Sequence, residues 1–310
     1  MNILVTGAAG FLGRHIATTL SDDGHRVYGL LHDNSPFFTR NYRELSGNIL
    51  DYARMLEIIV CHEIDLVYHC AAKSIVRNCV ADPLGCLSTN VLGTATVLEA
   101  CRQSGRIKGV MCMESDKAYG ASPVAYTEDT PLRPTAIYET SKACVSHLVA
   151  TYWHNYDLPV FGVRSANLYG PYDPNRSRLV PHSLDRIRDG KMPQIVESAE
   201  EFVREFLFID DAVSMITSLM AAAPWGQSVN IGSGITMKIG EAVNAICLAC
   251  GVSPGWIVMP RSAIFTEIES QSLCCDYLRR LIGDTPCTSF ADGIARTVAK
   301  EIPRRFNDAD

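Results

Sequence analysis

The chain has 310 residues, of which 47% are hydrophobic and 20% charged, with a formal net charge of −6. That is enough apolar material for one large domain or two intimately joined ones, and an acidic balance without a run of basic residues argues against a nucleic-acid partner. No apolar run approaches membrane-spanning length and the N-terminus reads as a strand with no cationic leader, so a cytoplasmic protein without a membrane partner is expected.

The apolar run Ile3-Leu4-Val5 predicts a short buried strand, followed directly by Thr6-Gly7-Ala8-Ala9-Gly10-Phe11-Leu12-Gly13. A strand ending here must turn tightly at Gly7, pass Gly10 and enter a helix near Phe11 and Leu12. Backbone N–H groups in such a turn approach a pyrophosphate with no Cβ in the way, and the helix N-terminus faces the anion. Gly13, one turn into the helix, allows close packing on the sheet. The spacing therefore points to a dinucleotide.

A second strand, Arg26–Leu31, should end near an acidic residue for the adenosine ribose. Asp33 stands in that place and favours NAD; His32, Arg40 and Arg43 suit a 2′-phosphate, which leaves NADP open. Asn48-Ile49-Leu50-Asp51 has two readings. Either Asn48 and Ile49 flank the adenine, or the segment enters the next helix through Asp51.

Further strand-like runs, Leu66–His69, Gly109–Met113 and Val160–Arg164, alternate with the helical patterns Tyr52–Val60, Thr89–Cys101 and Glu139–Trp153. This alternation predicts an α/β fold, a Rossmann-type doubly wound parallel sheet. Beyond Gly170 prolines punctuate shorter elements. The expected division is a nucleotide-binding part over 1–170 and a smaller, irregular substrate-binding region over 171–310, with some segments returning to the sheet. The twelve cysteines lie mostly in apolar stretches. Cys247 and Cys250 form a C-x-x-C inside a helical pattern, with no second pair at zinc spacing, so reduced thiols and no metal site are expected.

Chemistry concentrates in two segments. In Tyr138-Glu139-Thr140-Ser141-Lys142, helical spacing puts the phenol and the ammonium on one face. A cation there would lower the phenol's pKa and make Tyr138 a base near neutrality. The second segment, Met113-Glu114-Ser115-Asp116-Lys117-Ala118-Tyr119-Gly120, leaves the end of a strand, where ligands bind in such sheets. Ser115 can hydrogen-bond a hydroxyl also seen by Tyr138. Asp116 and Lys117 are either an acid and a base or an exposed salt bridge.

The glycine turn, Ser115, Tyr138 and Lys142, in that order, resemble the extended short-chain dehydrogenase/reductase family of nucleotide-sugar epimerases and dehydratases. The resemblance continues through Asp65-Leu66-Val67-Tyr68-His69-Cys70-Ala71-Ala72, Thr127-Glu128-Asp129-Thr130-Pro131, Asn167-Leu168-Tyr169-Gly170-Pro171, Arg204-Glu205-Phe206-Leu207-Phe208-Ile209-Asp210-Asp211 and Asn230-Ile231-Gly232-Ser233-Gly234. It implies that Ala71 and Ala72 lie along the cofactor, with Lys142 also touching it. It implies too that Asn167, Arg178 and Arg204 meet the diphosphate and base of a nucleotide-sugar substrate, that Lys73 and Ser74 line the sugar pocket, and that two copies pair through helices into a homodimer. The apolar residues of Ala143–Trp153 suit that pairing and suit core packing equally.

Within the family, Ser115-Asp116-Lys117 is similar to the Ser/Thr-Asp-Lys of CDP-glucose 4,6-dehydratases and inverting UDP-N-acetylglucosamine dehydratases. The dTDP-glucose enzymes carry Asp-Glu instead, and Gly170-Pro171 is more epimerase-like. The expectation is an NAD-dependent 4,6-dehydratase, with a 4-epimerase as the alternative and a non-catalytic dinucleotide-binding regulator behind both. Ser115, Asp116, Lys117, Tyr138 and Lys142 are the expected catalytic residues.

Overall fold

A computed structural model describes residues 1–32, 41–122, 124–260 and 268–302. Its strands are β1 (Asn2–Thr6), β2 (Arg26–Leu31), β3 (Arg43–Ser46), β4 (Leu66–His69), β5 (Gly109–Met113), β6 (Val160–Ser165), β7 (Asn167–Tyr169), β8 (Gln194–Val196), β9 (Val203–Phe208), β10 (Ser228–Ile231), β11 (Thr236–Lys238) and β12 (Ile257–Met259). Its helices are α1 (Phe11–Asp22), α2 (Tyr52–Cys61), α3 (Val76–Ala81), α4 (Pro83–Leu87), α5 (Gly93–Ser104), α6 (Ile137–Tyr156), α7 (Leu179–Arg188), α8 (Ile209–Ala222), α9 (Ile239–Ala249), α10 (Asp276–Ile282) and α11 (Phe290–Glu301).

Seven strands form one parallel sheet in the order β10-β6-β5-β4-β1-β2-β3. Ile3, Leu4 and Val5 are buried to within 1% of complete, because helices cover both faces and a central parallel strand must be apolar on both sides. The connections reverse direction between β1 and β4, which opens a crevice at the carboxyl ends of these strands. The α/β doubly wound sheet expected from the alternation is present.

Several elements differ from the sequence reading. β3 went unanticipated because it is a charged, mostly exposed edge strand. The helix expected from Thr89 begins instead as a π-helical turn, Ser88–Leu92, that runs into α5. Asp51, with its side chain accepting from Arg54 N at 3.0 Å, caps α2, so the helix-entry reading of 48–51 holds. All twelve cysteines are thiols.

After β6 the chain builds a small sheet, β11-β9-β7, and a parallel β8–β12 pair. It also returns β10 to the large sheet beyond β6. An extended segment near the C-terminal end is laid back across this region. Gln271 N donates to Val203 O at 3.1 Å, Tyr126 N to Ser272 O at 2.9 Å and Cys274 N to Tyr126 O at 2.8 Å. On α6, Ala143, Val145 and Val149 are buried within the chain itself. Among the described residues no helix is long and apolar enough to cross a membrane.

Candidate active site

The glycine turn closes at the carboxyl end of β1. Gly7 has φ +68° and Gly10 N donates to Gly7 O at 2.8 Å. A Cβ on Gly7 would stand 2.7 Å from Ala71 N, and one on Gly13 would stand 2.3 Å from Gly7 O. Any side chain at either position would force the β1 turn away from β4 or from its own helix. The turn thus fits a cradle for a dinucleotide's phosphates at the N-terminus of α1. Phe11, Leu12 and Ala72 line the cleft beside it, a space of about 640 Å³ that also holds Ser115, Asp116, Lys117, Tyr138, Lys142, Asn167, Arg178 and Arg204. That volume is in the range of a ligand pocket.

Two expected cofactor contacts, Asn48 and Ile49, do not line this cleft. Asn48 is exposed, with Oδ1 accepting from Leu50 N, and Ile49 is buried in the core against Gly93. Asp33 and Arg40 lie outside the described residues. Arg43, the other candidate for a 2′-phosphate, sits in β3 with its guanidinium 5.8 Å from the centre of the Tyr28 ring.

α6 delivers the tyrosine and the lysine. Glu139 Oε2 accepts from Thr135 N and Ala136 N at 3.0 and 3.1 Å, which fixes the first turn of the helix and with it Tyr138. Lys142 is turned from the phenol toward the sheet: its Nζ donates to Met113 O at 2.6 Å. The expected lowering of the Tyr138 pKa by Lys142 is therefore not what the geometry gives. Burial dominates and pushes the phenol up to about 12, opposed by a hydrogen bond to Ser115 and by the charge of Arg178. Arg178, whose charge favours the phenolate, is held by Asp173 at 3.3 Å and stands over Phe11. Lys142 itself is lowered by burial, with the Glu114 carboxylate opposing.

Ser115, two residues past β5, caps the following 3-10 turn, Asp116–Tyr119, by accepting from Lys117 N at 3.2 Å. Its hydroxyl donates to Asp116 Oδ1 at 3.2 Å. Asp116 is 5% exposed, so it is not half of a solvated surface pair with Lys117. Burial raises its pKa from the ordinary aspartate value, against the charges of Lys117 and Arg204. A carboxyl so placed is disposed to keep its proton. Lys117 is half-buried on the cleft wall.

Of the expected substrate contacts, Asn167 donates from Nδ2 to Glu205 O at 3.2 Å, and Arg204 Nη1 donates to Val203 O and Glu269 O. Both line the cleft, as does Ser74. Lys73 does not: its Nζ pairs with Asp82 Oδ2 at 2.6 Å, at the start of α4. Its backbone is gripped instead by Asn90 in the π-helical turn, whose amide also donates to Ser141 Oγ at 2.9 Å.

One supporting group was missed from sequence. Glu114, fully buried behind Ser115, accepts from Arg164 Nε at 2.8 Å, Ser146 Oγ at 2.5 Å and Ser228 Oγ at 2.9 Å. Arg164 goes on to Tyr119 OH at 2.8 Å and Tyr119 OH to Asn230 Oδ1 at 2.8 Å. Glu114 and Arg164 each close an apolar run in neighbouring parallel strands, a coincidence that does signal a buried pair.

With this geometry in view, comparison with known proteins is informative. Residues 3–232 match the model of the NAD dependent epimerase/dehydratase family. The chain belongs to that family. It is 30% identical to a UDP-glucose 4-epimerase of Mycolicibacterium smegmatis over 96% of this chain and 97% of that one. It is 29% identical to a dTDP-glucose 4,6-dehydratase of Xanthomonas campestris over 95% of this chain and 91% of that one. A crystal structure of a Streptomyces venezuelae dTDP-glucose 4,6-dehydratase with NAD bound superposes with a TM-score of 0.88, at 27% identity and 96% coverage of each chain. Family membership makes this an NAD-dependent epimerase or dehydratase, and the extended short-chain dehydrogenase/reductase resemblance is thereby shown.

Proposed function

We propose that this member of the family is a nucleotide-sugar 4,6-dehydratase, with Ser115, Asp116, Lys117, Tyr138 and Lys142 as its catalytic residues. The observation that carries the reading is the burial of Asp116 on the wall of the cleft that Tyr138 enters, where its carboxyl tends to keep a proton. Both relatives act on nucleotide sugars by name, so a nucleotide-diphosphate sugar is the substrate class, with Asn167, Arg178 and Arg204 toward its diphosphate and base. Arginine suits bidentate phosphate contact.

NAD, held at the Gly7–Gly13 turn, supplies the acceptance of a hydride from sugar C4 and its return to C6. The chain's own residues move the protons. Tyr138, acting as a phenolate that Ser115 and the charge of Arg178 favour against burial, takes the C4 hydroxyl proton. The resulting ketone acidifies C5–H; Lys117 is the base that removes this proton, and it gives one back to C5 when hydride arrives at C6. As the C5–H electron pair forms the C5=C6 bond and the C6–O bond breaks, Asp116 gives its proton to the departing oxygen and water leaves.

The 4-epimerase relative supports a second reading, in which Asp116 and Lys117 edge the site without moving protons. A panel of CDP-, UDP-, GDP- and dTDP-sugars, assayed in deuterated water for a 4-keto-6-deoxy product, separates the two. Dehydration places deuterium at C5. Epimerisation through C4 alone leaves C5 unlabelled, and that result would overturn the dehydratase reading.

A further inference from the structure

Asp116 has a neighbour that no motif announces. Gln271 is 1% exposed and its Nε2 donates to Asp116 Oδ2 at 3.2 Å, across a sequence separation of 155 residues. The contact is held from several sides. The Gln271 backbone N–H is bound to Val203 O, the next residue's carbonyl accepts from Tyr126 N, and Leu273 N donates to the Glu205 carboxylate at 2.8 Å. Gln271 is not among the cleft-lining residues. It stands behind Asp116 and can reach a substrate only through it.

The other end of the same amide is unusual. Gln271 Oε1 is buried and has no hydrogen-bond partner among the described residues. A buried amide oxygen left without a donor costs the protein the desolvation of that group. A carboxyl that ionises and reprotonates during turnover needs a donor in one state and an acceptor in the other, and a primary amide carries both. Rotation of the Gln271 amide about its last side-chain bond exchanges Nε2 for Oε1 at the Asp116 oxygen.

We propose that Gln271 is a positioning residue for Asp116: its amide donates to the carboxylate and, turned over, accepts from the carboxylic acid, holding the group in one place through both halves of a proton transfer. The proposal rests on the reading of Asp116 as the proton donor. After Asp116 gives its proton to the leaving C6 oxygen, the Nε2–H bond seen here steadies the carboxylate. When a proton returns, Oε1 gains the donor it lacks. The other groups facing the Asp116 carboxyl are Ser115 and Lys117 from its own turn, Arg204 and Glu205 from β9, Tyr126, and Tyr138 from α6. Gln271 is a neutral contact among them, so replacing it removes a hydrogen bond without removing a charge.

The test needs no substrate. Enzyme labelled with 13C in its aspartate carboxyls is titrated by NMR, with the Asp116 resonance assigned through its loss in Asp116→Asn. In Gln271→Leu the Asp116 midpoint should rise by about one pH unit, a tenfold change in its proton affinity, because the charge-assisted bond to the carboxylate is stronger than the neutral bond from the acid and its loss weighs more. Gln271→Glu keeps the shape of the side chain and should raise the midpoint further, since two carboxyls then share one site. If Gln271→Leu fails to fold, Gln271→Glu decides alone. An unmoved midpoint in the folded variants overturns the proposal. This readout is separate from the sugar-nucleotide panel, so failure of the dehydratase reading would appear there and not here.

Discussion

The two ends of the cleft draw on different stretches of chain. At the Tyr138 end the supports lie mainly within the large sheet and its helices: Lys142 on the Met113 carbonyl, Ser141 on Asn90, Ser146 on Glu114. At the Asp116 end they come from afar, with Gln271 on the carboxyl and Arg204 on the Glu269 carbonyl. On the proposed mechanism, the first end would carry the oxidation of C4 that dehydratases and epimerases share, and the second what only a dehydratase needs. A site assembled this way should fail in two separable ways.

Tyr138→Phe breaks the shared end and has the largest expected effect. C4 oxidation and every later step should fall about 10³-fold, read as the reduction of bound cofactor in a single turnover. A variant within tenfold of the parent would remove Tyr138 as the base. Glu114→Ala tests the scaffold beneath that end. It leaves the Arg164 guanidinium buried beside an empty space, and breaking such a pair costs about 3–5 kcal/mol, visible as an earlier denaturant midpoint. Adding Arg164→Met should recover part of the loss; no recovery would mean that packing rather than charge pairing supports β5.

Asp116→Asn breaks the other end alone. Elimination should drop about 100-fold while C4 oxidation stays within tenfold, and Lys117→Met should behave alike. Equal losses in both steps would merge the two ends into one. The smallest effect is on stability. Burial raises the Asp116 pKa, so its contribution to folding is full below the ordinary carboxylate range and declines as pH rises through the folded value. Asparagine has no charge to develop. The variant's Tm should therefore match the parent's in acid and exceed it by about 1–3 °C near pH 8; a gap that closes toward alkaline pH would contradict the sign.

What could be seen in the sequence follows the same division. The Gly7–Gly13 turn and the Tyr138–Lys142 pair are readable because each is a local spacing whose geometry a single strand end or helix turn imposes. Their surroundings are less readable. Helical spacing puts Tyr138 and Lys142 on one face but cannot show that Lys142 reaches the Met113 carbonyl while Arg178 provides a charge that favours the phenolate. Lys73 follows β4 as a sugar contact should, yet Asp82 claims its ammonium. Gln271 leaves no trace, since its position depends on backbone bonds to Val203 and on the neighbouring Tyr126 contacts, which no periodicity records.

The path of β10 has a consequence for how the protein comes into being. This strand is the sheet's outer neighbour to β6, yet it lies more than sixty residues further along. A ribosome that has released the chain only as far as Tyr169 has exposed the glycine turn, Ser115, Tyr138 and Lys142. At that moment β6 is a bare edge, Glu114 lacks Ser228 and Asp116 lacks Gln271. An uncovered parallel edge invites pairing with other chains. The nascent protein thus holds most of its proposed catalytic side chains well before it has the strand that shields them, and the Asp116 end is finished only when Gln271 emerges, about an eighth of the chain before the last residue.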